Sequence, residues 1–319
     1  MPTWGVLSPT RMVEVHEPGT QPGPPAGHVV GLPGRGESFA RVAPGPPGAP
    51  TVVLLHGWMS TADSNWFAVY EPLGADYRVV APDLPGHGRG LRTAGPFSLE
   101  RSADDLVLLL DRLGIAEVIA CGYSMGGAIA LQLARRHPGR VRGLVLCATA
   151  LEWQATWYDR AAWRLLPLLD VAVRAGVDRR LSVRLIDPLA AGDELVAAWR
   201  PHLLGELGRF DLRAAVGAGR ALAAFDARPF AAALDVPTAV VTTLRDRTVR
   251  PGKQAQLAAV MRARRFDLEA DHHAFVRRPR EWAAAVTSAV ESVDAERHRP
   301  GPDAQRDRPE AVPSSRFGR

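Results

Sequence analysis

The stretch Glu117-Val118-Ile119-Ala120-Cys121-Gly122-Tyr123-Ser124-Met125-Gly126-Gly127-Ala128 decides how the chain is read. An apolar run, Glu117–Cys121, leads into a serine with glycine two positions away on either side. A helical pattern, Ala128–Arg136, follows directly and stops at Pro138. Short apolar runs without alternation suit a strand buried on both faces, as in a parallel sheet. Ser124 therefore sits on a sharp strand-to-helix turn with strained dihedrals. Side chains two residues either side would collide there, and glycine removes the collision. The turn projects the hydroxyl upward and aims the helix N-terminus at it.

The same strand-then-helix grammar extends outward from this turn. Apolar runs recur at Thr51–Leu55, Arg78–Ala81, Val141–Cys147 and Pro237–Thr242, with a last strand expected at Arg265–Leu268. Two short strands are expected near His28–Leu32 and Ser38–Val42, joined by the turn residues Pro33-Gly34-Arg35-Gly36. Between strands, Ser98 is placed to cap a helix in which Leu99, Ala103, Leu106, Leu110 and Leu113 recur at helical spacing and Gly114 is the stop. Pro279 opens another, with Trp282, Val286, Ala289 and Val293 on one face. Alternating strands and helices predict a mostly parallel, doubly wound α/β sheet.

One segment breaks the alternation. From Leu151 to Phe225 there is no good strand, and four of the eight tryptophans (Trp153, Trp157, Trp163 and Trp199) lie among helical Ala, Leu and Arg. We read residues 151–225 as a helical cap inserted between two parts of a core, 29–150 and 226–295. Residues 1–28, rich in Pro and Gly, read as a flexible leader. Residues 296–319, poor in apolar side chains, read as a disordered tail.

Composition narrows the class. The 319 residues carry a net charge of +5, almost all of the cations being arginine. Acids are interspersed throughout, so no basic stripe for nucleic acid emerges. Cys121 and Cys147 sit in strand-like runs and read as buried free thiols, with neither a disulfide framework nor metal-ligand spacing. No signal-peptide pattern opens the chain, and the uncharged, apolar stretch Val118–Ala134 is short for a membrane span and interrupted by glycines. A cytoplasmic protein without a transmembrane segment is expected.

A serine hydroxyl is a poor nucleophile unless a base takes its proton and an acid orients the base. Downstream of Ser124, His137 ends a helix, His202 lies in the insertion and His298 in the tail; the pair His272-His273 lies between the last strand and the last helix. Asp246 lies on the loop after the strand Pro237–Thr242, flanked by Arg245 and Arg247. The chemistry also needs two fixed donors for an oxyanion. The backbone N–H groups of Met125 and of Trp58, in His56-Gly57-Trp58, are the candidates. His87, in Asp83-Leu84-Pro85-Gly86-His87-Gly88, is read as structural.

Taken together, these segments resemble the α/β-hydrolase superfamily, most nearly its bacterial esterase, lipase and perhydrolase-like members, over residues 28–295. The oxyanion motif matches His56-Gly57-Trp58, the loop after the fourth strand matches Asp83–Gly88, the nucleophile elbow Gly122–Gly127, and the acid loop Arg245-Asp246-Arg247. The resemblance implies the order Ser, acid, His, hence Ser124, Asp246 and one of the two histidines. Members often carry Gly-His and then proline seven residues later; here Asp271 replaces the glycine, and the spacing to Pro279 favours His272 over His273. Serine at the elbow disfavours the dehalogenases and epoxide hydrolases of this fold, which use aspartate there.

The expected function is hydrolysis of a small-molecule carboxylic ester through an acyl-serine, with no cofactor and no metal. Trp153 and Trp157 are expected in the wall of a pocket for apolar acyl groups. Perhydrolysis or C–C bond hydrolysis would use the same residues. A non-catalytic receptor of this fold is disfavoured because all three triad positions are filled. Peripheral membrane contact through the tryptophan-rich insertion is the remaining alternative, with cap-to-core packing the favoured reading of those rings.

Overall fold

In the computed structural model the apolar runs lie side by side as strands of one sheet. Described are residues 12–15, 23–92, 95–154, 160, 163, 193–207, 209 and 211–297. The strands are β1 (Met12–Val15), β2 (Ala26–Leu32), β3 (Gly36–Ala43), β4 (Thr51–Leu55), β5 (Arg78–Pro82), β6 (Val118–Tyr123), β7 (Val141–Cys147), β8 (Thr238–Thr243) and β9 (Arg264–Leu268). Their order across the sheet is β1-β2-β3-β5-β4-β6-β7-β8-β9. The first three strands and the β3–β5 pair are antiparallel. From β5 through β9 every pairing is parallel. The expected mostly parallel, doubly wound α/β sheet is thus observed.

The helices, among the described residues, are α1 (Ala62–Trp66), α2 (Tyr70–Gly74), α3 (Leu99–Arg112), α4 (Met125–Arg136), α5 (Glu194–Leu207), α6 (Leu212–Ala223), α7 (Pro251–Val260), α8 (Ala274–Arg277) and α9 (Pro279–Arg297). Ser98 caps α3, its side chain accepting from the Arg101 N–H at 3.2 Å. Gly114 follows with a φ of +67, which its lack of a Cβ permits.

Period-two alternation in the strands divides the core. Val53 and Leu55 of β4 pack on one face with α3, α4 and α7. Val52 and Leu54 pack on the other with α1, α2 and α9, where Trp66 and Trp282 stack 5.8 Å apart. β4, β6 and β8 are buried along their whole length, which explains their unbroken apolar character. β9 closes the sheet with Arg264, Arg265 and Asp267, and charge at an edge discourages further pairing.

Two expectations need correction or restriction. The first 28 residues, read as a flexible leader, contribute β1 and the start of β2, paired from Met12↔Val30 to Val15↔Gly27. Four residues are too few to display a period, and ladder hydrogen bonds rather than side-chain pattern define the strand. Of the insertion, residues 155–159, 161–162, 164–192, 208 and 210 lie outside the described residues, as does the tail from 298 onward. Helix α9 carries the described chain to Arg297. At the base of the insertion Glu152 bridges Asp226, and the Ala227 N–H donates to the Leu151 carbonyl at 2.8 Å. Its described helices pack on both cores: Ala218 and Leu222 of α6 join one, Val196 and Trp199 of α5 the other.

Candidate active site

The elbow is as tight as its glycines suggest. Ser124 has φ 53 and ψ −114, outside the basins that L-residues prefer. A Cβ at Gly122 would lie 2.3 Å from the Gly126 carbonyl oxygen, and one at Gly126 would lie 2.0 Å from the Leu55 carbonyl oxygen. Neither backbone atom can give way, so both positions need glycine. The Ser124 N–H donates to the Cys147 carbonyl at 2.8 Å, tying the turn to β7. The serine itself is buried.

Asp246 and His272 arrive from the ends of β8 and β9. His272 Nδ1 lies 2.7 Å from Asp246 Oδ2, and His272 Nε2 lies 3.1 Å from Ser124 Oγ. A carboxylate only accepts, so Nδ1 carries the proton and Nε2 is left to accept from the serine hydroxyl. The second oxygen of Asp246 accepts from the Thr248 and Val249 N–H groups, both at 2.8 Å. Thr243 Oγ1 donates to Oδ2 at 2.8 Å. Gln254, reaching back from α7, accepts from the Thr243 N–H at 3.0 Å and donates to the Val249 carbonyl at 2.6 Å. Among the described residues, the hydrogen-bond partners that fix Asp246 are two backbone N–H groups, a hydroxyl, an amide and the imidazole, none of them a cation.

The register of the histidine pair follows. The His273 ring stands 6.1 Å from the His272 ring and 6.1 Å from Phe275, away from Ser124, and burial lowers its pKa. Asp271 accepts from the His273 N–H at 2.9 Å and pairs with Arg277. Tyr123 donates its hydroxyl to the His272 carbonyl, holding that loop from the far side of the elbow. Burial, reinforced by the Asp246 and Asp271 charges, pushes the Tyr123 phenol well up, so it stays a neutral donor.

Met125 opens α4, and the first N–H groups of a helix have no carbonyl one turn back to bond. The Gly57 N–H is held by Asn65 Oδ1 at 2.7 Å, which sets the loop presenting the Trp58 N–H. The Trp58 indole donates to the Ala215 carbonyl of α6 at 2.7 Å. Its ring lies 5.8 Å from Trp163, which meets Trp153 edge-on at 6.4 Å. Trp153 is buried and belongs to the same apolar cluster as Met125, with Trp58 and Trp163 half-buried against it. Trp157 lies outside the described residues.

His56 and His87 are both fully buried and 5.4 Å apart. His56 Nε2 accepts from the Leu84 N–H at 2.9 Å, and burial lowers its pKa to about 4. Burial, with the neighbouring His56, lowers His87 to about 3. Both are neutral spacers under the oxyanion loop.

A second polar cluster lies under that loop, and sequence reasoning missed it. Asp63 receives the Arg41 guanidinium at 2.7 Å, Arg89 at 3.0 Å, the Tyr70 hydroxyl at 3.0 Å and His202 Nε2 at 2.8 Å. Burial works to raise the Asp63 pKa, but the His202 and Arg41 hydrogen bonds and the Arg41 and Arg89 charges hold it well below the usual range. Asp83, 3.3 Å from Arg89, has its pKa raised by burial. Asp63, His202 and Glu206 lie close enough to suggest a metal site. The Asp63 lone pairs are already taken by two guanidiniums, a phenol and an imidazole, so this donor set fits an ion-pair network rather than a cation.

The comparisons with known proteins agree with this architecture. A family model described as the α/β hydrolase fold matches residues 50–166. The chain is 45% identical over 101 residues to a pimeloyl-[acyl-carrier protein] methyl ester esterase of Aromatoleum aromaticum, covering 32% of this chain and 38% of that protein. It is 37% identical over 148 residues to a 2-hydroxymuconate semialdehyde hydrolase of a Pseudomonas species, covering 45% of this chain and 50% of that one. The chain thus spans half or less of the length of these curated relatives. Among solved structures, the enol-lactonase from Burkholderia xenovorans LB400 superposes with a TM-score of 0.65 at 26% identity, covering 82% of this chain and 99% of that one.

Proposed function

This chain is a protein of the α/β-hydrolase fold, and on that premise we propose that it hydrolyses carboxylic esters through an acyl-serine. The supporting observation is the Asp246–His272–Ser124 relay, closed at 2.7 and 3.1 Å. In the first half-reaction Ser124 Oγ attacks the ester carbonyl as His272 Nε2 takes its proton. The Met125 and Trp58 N–H groups receive the oxyanion. Collapse breaks the bond to the alcohol oxygen, which leaves with the proton from His272. Water then repeats the cycle on the acyl-serine, releasing the acid. Asp246 orients His272 and stabilises the imidazolium that forms twice per turnover. The apolar surroundings of Met125, with Trp58 and Trp163 half-buried beside it, favour an apolar acyl group.

Fluorophosphonate probes test the proposal, because an activated serine beside an oxyanion hole reacts with them. A covalent adduct on Ser124, absent in Ser124→Ala, is expected by mass spectrometry. A folded wild-type protein with no adduct on Ser124 would reject it. The match to a 2-hydroxymuconate semialdehyde hydrolase makes 2-hydroxymuconate semialdehyde the necessary second substrate; faster turnover there than on esters would reassign the reaction while keeping the triad.

A further inference from the structure

The acid loop and the histidine loop together line an open cleft of about 730 Å³ that the ester mechanism leaves unused. Its walls carry Arg245, Arg247, Arg277 and Arg278, and among the described residues its lining carboxylates are Glu269 and Asp271. Arg278 turns to Glu281 at 3.4 Å, outside that lining, so the cleft keeps an excess of guanidinium over carboxylate. Arg245 pairs with Glu269 at 2.9 Å and Arg277 with Asp271 at 2.9 Å, both at exposed sites. Exposed pairs of this kind are individually weak and exchange readily. Arg247 is exposed and has no ion-pair partner among the described residues. In the sequence Arg245-Asp246-Arg247, the aspartate turns inward to His272 and the arginines turn out to the cleft.

The cleft floor is fixed before any ligand arrives. The Leu244 N–H donates to Leu268 and the Arg245 N–H to Ala270, both at 2.9 Å, stapling the two loops together. The same His272 that meets Ser124 also lines the cleft, and its side chain is 13% exposed. A general acid must come within about 3 Å of the oxygen it protonates. On the ester-hydrolase reading the leaving alcohol lies against His272, the ring that borders both Ser124 and the cleft.

We propose that this cleft binds a carboxylate or phosphate on the alcohol portion of the substrate, so that the enzyme prefers apolar acyl esters of anionic alcohols. This rests on the ester-hydrolase reading above. Guanidinium groups suit both anions because their paired N–H donors match two oxygens. The volume is that of a small-ligand site. On departure the alcohol takes the proton from His272 at its oxygen and keeps its remote negative charge, so the arginines hold it equally before and after bond cleavage. The preference accordingly falls in KM more than in kcat.

The test is a set of butanoate esters that share the acyl group: those of glycolate, of 2-hydroxyethyl phosphate, of 2-methoxyethanol and of choline. The expected result is kcat/KM at least about tenfold higher for the two anionic esters than for the methoxyethyl ester, with choline lowest. That ratio should shrink in 0.5 M salt. It should fall toward one in Arg247→Gln and in Arg247→Gln/Arg277→Gln, and be partly restored by Arg247→Lys. The better of the two anionic esters identifies carboxylate or phosphate as the ligand. A ratio at or below one in the wild type, or one indifferent to these substitutions, would overturn the proposal. So would binding to phosphatidylserine vesicles through Arg247 with no small-anion preference, which would make the surface a lipid contact. If none of the four esters is cleaved, the ester reading fails by itself. The cleft is then judged by titrating inorganic phosphate against the His272 ring protons by NMR. A saturable shift lost in Arg247→Gln supports the anion site, and no shift rejects it.

Discussion

Two buried Asp–His pairs lie in this protein, and their surroundings differ in a way that separates chemistry from architecture. His202 Nε2 meets Asp63 at 2.8 Å, and His272 Nδ1 meets Asp246 at 2.7 Å. By distance alone they are equivalent. Asp63, however, is already neutralised by Arg41 and Arg89. Asp246 is held by two backbone N–H groups, a threonine hydroxyl and the imidazole. Among the described residues no guanidinium or ammonium is bonded to it, so its negative charge falls on His272. An imidazolium forming at His272 gains a counter-charge in a site with little water, where such an interaction is strong. One forming at His202 gains much less, because the carboxylate charge is shared. The free ring nitrogen of His272 faces a serine, whereas His202 joins the insertion to the core.

Substitutions break the comparison most sharply at the nucleophile and base. Ser124→Ala or His272→Ala should lower kcat on a short-chain nitrophenyl ester by about 10⁴–10⁶. His273→Ala should stay within about tenfold of wild type, since its ring faces away from Ser124. If those two histidine effects are reversed in stopped-flow or steady-state assays, the base has been assigned to the wrong residue.

Asparagine in place of each aspartate sharpens the contrast. Asp246→Asn should keep the melting temperature nearly unchanged while kcat falls by about 10³–10⁴, because the amide favours the wrong imidazole tautomer. Asp63→Asn should do the reverse. It removes the buried carboxylate that Arg41 and Arg89 share, leaving Arg89 its pairs with Asp83 and Glu206, and should cost about 3–5 kcal/mol of stability. Its remaining folded enzyme should keep kcat within a few-fold. Urea melts read beside initial rates decide the matter, and an Asp63→Asn enzyme that is stable yet inactive would contradict the division drawn here.

How far the sequence disclosed this contrast depends on the range of each interaction. The elbow was legible because its constraints are local: Gly122 and Gly126 clash with backbone atoms within a few residues of the turn or at the end of the adjacent strand. Asp246 and His272 were legible through order along the chain, which a parallel sheet converts into neighbouring loops. Choosing between His272 and His273 required a spacing argument to Pro279, and the coordinates place the first between Ser124 and Asp246. Arg41, Asp63, Arg89 and Glu206 were not legible as a group. They come from β3, α1, a loop and α5, and nothing in residue type or spacing announces that four distant charges share one buried site. Thr243 and Gln254, which lock the acid loop, were missed for the same reason: neutral polar side chains carry no signal until their partners are known. β1 was missed because its evidence is a backbone ladder.

The buried histidines beneath the oxyanion loop give the comparison a pH axis. His56, with its pKa lowered to about 4, and His87, lowered to about 3, bind protons more weakly folded than unfolded. The unfolded chain therefore holds the extra protons between the unfolded value near 6.5 and these folded values. Stability from this source is complete above the unfolded value and is lost as the pH falls through the window. Linkage gives about 2 kcal/mol per histidine by pH 5. Urea midpoints measured from pH 7.5 to pH 4.5 should fall accordingly, and a flat profile would mean that these rings titrate normally and are not buried neutral.

The smallest expected effect concerns the acyl side of the proposed reaction and the aromatic rings near Met125. Trp58 is bound to Ala215 of α6 through its indole N–H, so the oxyanion loop and the insertion share one wall. Trp163 and Trp153 continue that wall into the apolar cluster around Met125. An acyl chain lying along it removes about 0.8 kcal/mol of exposed apolar surface per CH₂. Each added methylene should raise kcat/KM roughly three- to fourfold until the wall is covered, and then have no effect or a negative one. Replacing Trp58 by Phe keeps most of the surface and removes the hydrogen bond to α6, a loss of about 0.5–1.5 kcal/mol. If the wall is set by that bond, the substitution should lower the slope for longer chains while acetyl ester turnover changes little. Measuring kcat/KM from acetyl to dodecanoyl esters of one alcohol, in both proteins, tests the two statements together. A profile that is flat, or falls steadily from acetyl, would show that these rings serve only to pack the insertion onto the core.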